Sequence, residues 1–391
     1  MCLLCFLYGD ESLNTDITPF QIAIPESDLD DLRTRLEHTR WPESEVVDDW
    51  TQGIPLSYLK DVCDYWKTSY DWRAVEKRLN ALPQYTTKID GLDVYFIHIR
   101  SSNEDARPLL LTHGWPGSVI EFLKVIGPLT EPDQHSASDA ESFHLVIPAL
   151  PGFGFSGKPS KTGWSVDKIA RAWSELMLRL GYTKYLAQGG DWGAAITASI
   201  GAQDPEHCIG LHTNMPVVAP SGELLENLTT LEEDALRARQ FYQDWDSGYS
   251  KQQSTRPQTL GYSLVDSAAG QAAWILEKFY QWTDCKGHPE NVLSRDELLD
   301  NVMLYWLTAS GASSARIYWE SFARGSSDNV NVPSGCSIFP KEIFKASQRW
   351  VETRFKDLRY FNVLDTGGHF AAFEQPELYV QELRACFQKM S

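Results

Sequence analysis

The chain has 391 residues and a formal net charge of −18, with 53 acidic against 35 basic side chains, a balance that disfavours nucleic acid and anionic membranes as partners. Hydrophobic residues make up 42% and aromatics 12%, with 14 Trp, so the chain is globular, long enough for roughly two or three domains of about 150 residues or one domain with large insertions. This composition suits an uncharged substrate and an apolar pocket lined by flat rings.

The N-terminal run Met1 to Tyr8 is apolar, but it lacks a basic region and is followed by Asp10 and Glu11, unlike a signal peptide. It is also far shorter than the ~20 residues of a membrane helix, and no later stretch of that length is free of charges. The seven cysteines are odd in number and scattered, as in a reduced protein. Cys2 and Cys5 have metal-site spacing without a second pair or a nearby His, which leaves no metal site expected. The expectation is a cytoplasmic protein without a membrane anchor, its first 18 residues a disordered or docked extension.

Phe20, Ile22 and Ile24 alternate with Gln21 and Ala23 before Pro25, the pattern of a short strand. Ser27 with Asp30 resembles a capping box opening a helix through Leu29, Leu32 and Leu36. Two more amphipathic stretches follow, through Leu59, Val62 and Trp66, then Trp72, Val75 and Leu79. This mostly helical segment reads as an appended module.

From Tyr85 the pattern changes. Tyr85 to Ile89 and Val94 to Ile99 read as strands joined by the hairpin signal Asp90-Gly91. Strands are then predicted at Leu109 to Leu111, Leu145 to Pro148, Tyr185 to Gln188 and Cys208 to His212, with a helix over Val166 to Leu180. Such alternation implies a mostly parallel, doubly wound sheet. After Met215-Pro216 the chain is helical to about residue 330, most strongly over Ala272 to Trp282 and Leu298 to Phe322, and reads as a cap. Strands return at Ser337 to Phe339 and Tyr360 to Leu364, with a closing helix from Pro376.

Gln188 to Ala194 read Q-G-G-D-W-G-A. A residue held between a strand and a helix, with small residues two positions to either side, is the nucleophile elbow of an α/β hydrolase. Its centre here is Asp191. Gly189, Gly190 and Gly193 flank it, as a strained turn packed close to a helix requires. An isolated aspartate of this kind is more simply a helix N-cap; the rest of the set favours the elbow. His369 follows the last predicted strand in T-G-G-H-F, so the order is nucleophile, then histidine. Glu342 ends an earlier strand, placed to orient His369; Asp365, four residues before His369, is the competing acid. His113 to Ser118, H-G-W-P-G-S, follows the strand Leu109 to Leu111, which makes the backbone N–H groups of Trp115 and Trp192 the candidate oxyanion hole. His113 is read as structural.

An aspartate elbow attacks an electrophilic sp³ carbon to form an ester of its own side chain, which water then hydrolyses. The leaving group is a halide or the strained oxygen of an epoxide. An epoxide calls for acidic O–H donors such as phenols, a halide for indole N–H donors. The cap holds both, with Tyr242, Tyr249, Tyr262, Tyr280, Tyr305 and Tyr318 beside Trp245, Trp274, Trp282, Trp306 and Trp319, so its composition does not decide between them.

From about Pro19 to Phe387 the chain resembles the microsomal-type epoxide hydrolases. The likeness lies in F-Q-I-A-I-P-E-S-D-L-D-D-L-R-T-R-L-E-H-T-R-W-P, H-G-W-P-G-S, G-G-D-W-G, I-L-E-K-F and G-G-H-F-A-A-F-E-Q-P-E, in this order. The resemblance implies an α/β-hydrolase fold with an N-terminal meander over 1–84, core over 85–215 and 331–391, and a helical cap over 216–330. It implies Asp191 as nucleophile, His369 as base, Glu342 as its acid, and Tyr249 and Tyr318 as ring-opening donors. No cofactor is implied. The expected partner is a small apolar or aromatic epoxide, with a homodimer left open; a haloalkane dehalogenase and a non-catalytic binding protein on this fold are the alternatives. Membrane-bound members begin with an anchor helix, and no counterpart is found here.

Overall fold

A computed structural model describes residues 16–135, 140–322 and 328–390; the Cys2/Cys5 pair and nearly all of the N-terminal extension lie outside these. Nine strands form one sheet in the order β1-β2-β3-β5-β4-β6-β7-β8-β9. They are β1 (Ile17–Pro19), β2 (Gln84–Ile89), β3 (Leu92–Ile99), β4 (Arg107–Thr112), β5 (Phe143–Pro148), β6 (Tyr185–Gly189), β7 (Cys208–Thr213), β8 (Val330–Ile338) and β9 (Phe355–Val363). The pairs from β1 to β3, and β3 with β5, are antiparallel; β5, β4, β6, β7, β8 and β9 run parallel. Leu109 to Leu111, Phe143 to Ile147 and Tyr185 to Ala187 are buried at nearly every position, as strands covered on both faces must be. The β2–β3 turn places Asp90 at φ 48° and Gly91 at φ 77°, the doubly left-handed conformation of a tight hairpin that Asp-Gly favours.

The N-terminal segment departs from expectation in two places. Residues 20–24 are not a strand: Phe20 N still donates to the Gln84 carbonyl at 2.8 Å, but Ile22 N donates to Asn80 Oδ1 at 2.8 Å and Ile24 N to Glu76 Oε1 at 2.8 Å, both side chains. The first helix, α1 (Glu26–Glu37), begins after Pro25 with no side-chain cap; Asp30 bonds Arg33 instead, so there is no capping box. Helices α2 (Leu56–Thr68) and α3 (Trp72–Asn80) occur as predicted and bury Leu59, Val62, Trp66, Trp72, Val75 and Leu79.

Around the sheet stand α4 (Leu123–Thr130), α5 (Val166–Arg179) and α6 (Trp192–Gln203). Between β7 and β8 come α7 (Thr230–Phe241), α8 (Gly248–Thr255), α9 (Pro257–Asp266), α10 (Ala268–Trp282), α11 (Arg295–Leu307) and α12 (Gly311–Ser321). The run expected over Leu298 to Phe322 is thus two helices, broken where Ala309 takes φ 48°. A π-helical turn, Tyr242–Asp246, joins α7 to α8. The N-terminal helices brace this layer: Tyr65 and Tyr70 hydroxyls donate to Asp296 and Asp300 at 2.8 and 2.9 Å, and Trp66 Nε1 contacts Met303 Sδ at 3.2 Å. Short helices α13 (Gln348–Val351) and α14 (Ala371–Glu374) and the closing α15 (Pro376–Phe387) complete the chain. No helix among the described residues is long and apolar enough to cross a membrane.

Candidate active site

The carboxyl ends of the parallel strands converge where such sheets place their sites. Asp191 follows β6 and heads α6 with φ 50° and ψ −128°, a backbone region that costs a non-glycine residue of order 1–3 kcal/mol. Close packing holds it there. A Cβ on Gly193 would lie 2.0 Å from the Thr112 carbonyl oxygen, and one on Gly114 would lie 2.2 Å from Asp191 Oδ1. Asp191 is not a side-chain cap for its helix, so the N-cap explanation fails, and its carboxylate points elsewhere.

Trp115 N donates to Asp191 Oδ1 at 2.8 Å, and His369 Nε2 lies 3.3 Å from Oδ2. The other ring nitrogen, Nδ1, is 2.7 Å from Glu342 Oε1. With Nδ1–H donating to that carboxylate, Nε2 faces Asp191. The structure therefore brings Glu342, not Asp365, to the histidine. No hydrogen bond from Trp192 N to the Asp191 carboxylate occurs among the described residues; that amide sits at the first position of α6, its direction fixed by the helix. His113 accepts from Leu150 N at Nε2, 3.2 Å away, and its Nδ1 lies 2.9 Å from Gly114 O. It is buried and pushed down to about 4 by that burial, a neutral structural ring.

Burial disfavours a charge on His369, but the Glu342 and Asp191 carboxylates outweigh it and raise its pKa well above the ordinary histidine value. The sequence did not point to the partners that fix Glu342. Asn214 Nδ2 donates to Glu342 Oε2 at 3.3 Å, Gln188 Nε2 donates to Asn214 Oδ1 at 3.1 Å, and Tyr379 OH donates to Gln188 Oε1. Asn214 directly follows β7, a strand end between those of Asp191 and Glu342, and that topological position is the signal that could have found it.

A cavity of about 660 Å³ opens over Asp191 and Trp192, lined by Met215, Leu236, Phe344 and Trp350 and by Tyr249 and Tyr318 from the helical layer. Both tyrosines are buried. Tyr249 stacks on Trp115 with centroids 4.9 Å apart and an interplanar angle of 8°. Tyr318 stands edge-on to Trp192 at 4.8 Å and 5.8 Å from the Tyr249 ring. Burial is the main cause that raises both phenols well above their ordinary pKa, with the Asp191 charge adding to each. Both therefore remain O–H donors through neutral pH. Tyr249 OH lies 3.2 Å from Tyr242 OH, whereas the buried Tyr318 hydroxyl approaches Tyr249 and Trp192 but makes no hydrogen bond of ordinary geometry. Behind Tyr249, Lys278 Nζ sits 4.8 Å from its ring centroid and bonds Asp246 at 2.7 Å, with Trp282 Nε1 on the same carboxylate at 2.6 Å. Lys278 belongs to the I-L-E-K-F stretch, to which the sequence assigned no role.

Residues 17–122 match the family model described as epoxide hydrolase N terminus, and residues 107–263 the model of the alpha/beta hydrolase fold. Epoxide hydrolase 1 of Sus scrofa is 38% identical over 398 residues, covering 94% of this chain and 88% of its own. The chain belongs to the epoxide hydrolase family. An inferred epoxide hydrolase of Stigmatella aurantiaca (strain DW4/3-1) is 53% identical over 375 residues, 96% of this chain and 85% of that one. The crystal structure of juvenile hormone epoxide hydrolase from the silkworm Bombyx mori superposes with a TM-score of 0.89 at 31% identity, covering 97% of this chain and 96% of that chain. Within this family's frame, the α/β-hydrolase fold carries the elbow, and the helices between β7 and β8 carry the tyrosines.

Proposed function

We propose that this epoxide hydrolase family member converts an apolar epoxide to a vicinal diol in two covalent steps. In the first, Asp191 Oδ2 attacks a ring carbon from the side opposite the breaking C–O bond, while Tyr249 and Tyr318 donate to the epoxide oxygen and one phenol protonates it. The product is a glycol ester of Asp191. In the second, His369 Nε2 takes a proton from water as the water oxygen bonds Asp191 Cγ, and the carbonyl electrons move to Oδ1. The Trp115 N–H already bonded to Oδ1 stabilises that charge, with the Trp192 N–H beside it. Collapse releases the glycol oxygen, which takes the proton from His369. The phenolate left by the first step is reprotonated from the resting imidazolium, and the new acid proton of Asp191 returns to His369, so protons and electrons balance with no cofactor.

Electrostatics supports this order. In the resting site the imidazole lies between two carboxylates that favour its protonation. Esterification removes the Asp191 charge and part of the hold on that proton, which passes to the phenolate left by ring opening, so His369 is a free base once there is an ester to hydrolyse. The observation that carries the reading is the pair of buried, protonated phenols facing the nucleophile across an apolar cavity. That arrangement suits an oxygen leaving group rather than a halide. The apolar lining favours a bulky or aryl epoxide, and a cytoplasmic setting is proposed on the scattered cysteines, of which Cys63, Cys208, Cys285, Cys336 and Cys386 are free and buried.

Single turnover of styrene oxide in ¹⁸O-water, followed by mass analysis of the Asp191 peptide, tests the proposal. Label in Asp191 is expected. Label in the diol alone would mean direct hydration and would refute the covalent step.

A further inference from the structure

A second, smaller cavity shares Asp191 with the substrate cavity and no other lining residue. It has a volume of about 20 Å³ and lies between the ends of β4 and β6, walled by Thr112, Glu121, Gln188, Asn214 and His369. One water needs roughly 10–15 Å³ and two to four polar partners, so the chamber has room for a single molecule. Two of its walls are buried polar groups, one of them left without a partner by the fold. The Thr112 hydroxyl is fully buried and has no hydrogen-bond partner. The Glu121 carboxyl is packed against the backbone of Gly117 so closely that an added Cβ there would lie 1.4 Å from Glu121 Oε1.

We propose that this chamber binds the hydrolytic water, and that Glu121 and Thr112 hold it beside Asp191 Cγ within reach of His369. The assignment rests on the two-step reading above. The water gives one proton to His369 Nε2 while its oxygen bonds Cγ and the carbonyl pair moves to Oδ1. Substrate enters from the large cavity and water attacks from the small one, so the ester does not displace the water that cleaves it. A carboxyl so deep in the site is costly if charged. Burial, reinforced by Asp191 and opposed by His369 and the Ser118 amide, pushes Glu121 up to about 8. It therefore carries its proton at neutral pH and can donate to the water oxygen without adding charge next to the developing oxyanion. The titratable groups around it are His369, Asp191, Tyr305 and Tyr379.

Quenched-flow mass analysis of the full-length protein with styrene oxide resolves ester formation from ester hydrolysis. Glu121→Leu and Thr112→Val should form the ester within about twofold of the parent rate and hydrolyse it between about tenfold and a hundredfold more slowly, the cost of a misplaced reactant. Glu121→Gln keeps a polar group for the water and cannot ionise. It should hydrolyse the ester faster than Glu121→Leu and lack the fall in rate expected of the parent above about pH 8. If Glu121→Leu fails to fold, the near-isosteric Thr112→Val decides. Parent-like hydrolysis in the folded variants, or equal slowing of both steps, would overturn the proposal. Absence of any ester in His369→Gln under the same conditions would instead overturn the two-step reading, and this assignment with it.

Discussion

Tyr318→Phe should make the protein more stable and less active at once. The ring of Tyr318 is 2% exposed and packs edge-on against Trp192 and Trp115, with centroids at 4.8 and 5.9 Å. Phenylalanine preserves all of that. What it deletes is a hydroxyl with no hydrogen-bond partner, and a buried unsatisfied group of this kind costs about 1–3 kcal/mol. At ~2.1 cal/mol/K per residue the unfolding entropy of a 391-residue chain is about 0.8 kcal/mol/K, so the midpoint should rise by about 1–4 °C. Ring opening should slow by about a hundredfold, or ~2.7 kcal/mol, as expected when a general acid is removed. Hydrolysis of the preformed ester should be unchanged. Tyr249→Phe is the control: its hydroxyl lies 3.2 Å from Tyr242 OH, so the same deletion gives up a partner and brings little stability. Calorimetry and quenched-flow mass analysis read the two effects. A Tyr318→Phe protein that is less stable than its parent, or that opens the epoxide within about twofold of the parent rate, would refute the reasoning.

His369→Gln should alkylate once and stall, leaving a protein heavier by the substrate mass in intact-mass analysis. Glu342→Gln removes a carboxylate that raises the His369 pKa, so the acid limb of turnover should move to lower pH while the maximal rate falls; a limb that stays put or moves up would contradict the assigned partner. Glu374 is buried and its pKa is raised to about 7, chiefly by burial. A carboxyl whose folded pKa lies above its unfolded value stabilises fully below the unfolded value and loses that contribution as pH rises through the folded one. Denaturation midpoints should therefore decline between about pH 4.5 and 7, and Glu374→Gln should flatten part of that decline.

Local chemistry made the elbow legible. Glycine is called for at positions 189, 190 and 193, because an added Cβ would lie within 3 Å of the Gly193 carbonyl, the Asn214 side chain or the Thr112 carbonyl respectively, and that requirement is written in the letters themselves. The β2–β3 hairpin was legible for the same reason, its Asp-Gly pair being suited to the left-handed conformations the turn adopts. The expected strand at Phe20 to Ile24 was not. Burial alternates there as in a strand, but the amide partners are Asn80 and Glu76, more than fifty residues away, and no periodicity reports that. The break at Ala309 was hidden likewise, since helical patterns on either side of it read as one.

The order of chemistry-bearing residues along the chain pointed to Asp191, Glu342 and His369, because this fold draws them in sequence from successive strand ends. Which groups meet across the layers was settled only by folding. The choice of Glu342 over Asp365 depended on how the turn after β8 meets the His369 loop, which brings Glu342 Oε1 to 2.7 Å from His369 Nδ1. Selection of Tyr249 and Tyr318 from many aromatic rings depended on how the helices between β7 and β8 settle over the sheet. Glu121 is three residues from Ser118 in sequence, yet its bearing on the site comes from a chamber formed with Thr112 and His369. Sequence encodes what each side chain can do and the turns its own backbone needs. A side chain's pKa, its partner and its access to water come from neighbours distant in the chain, so they exist only once the chain has packed.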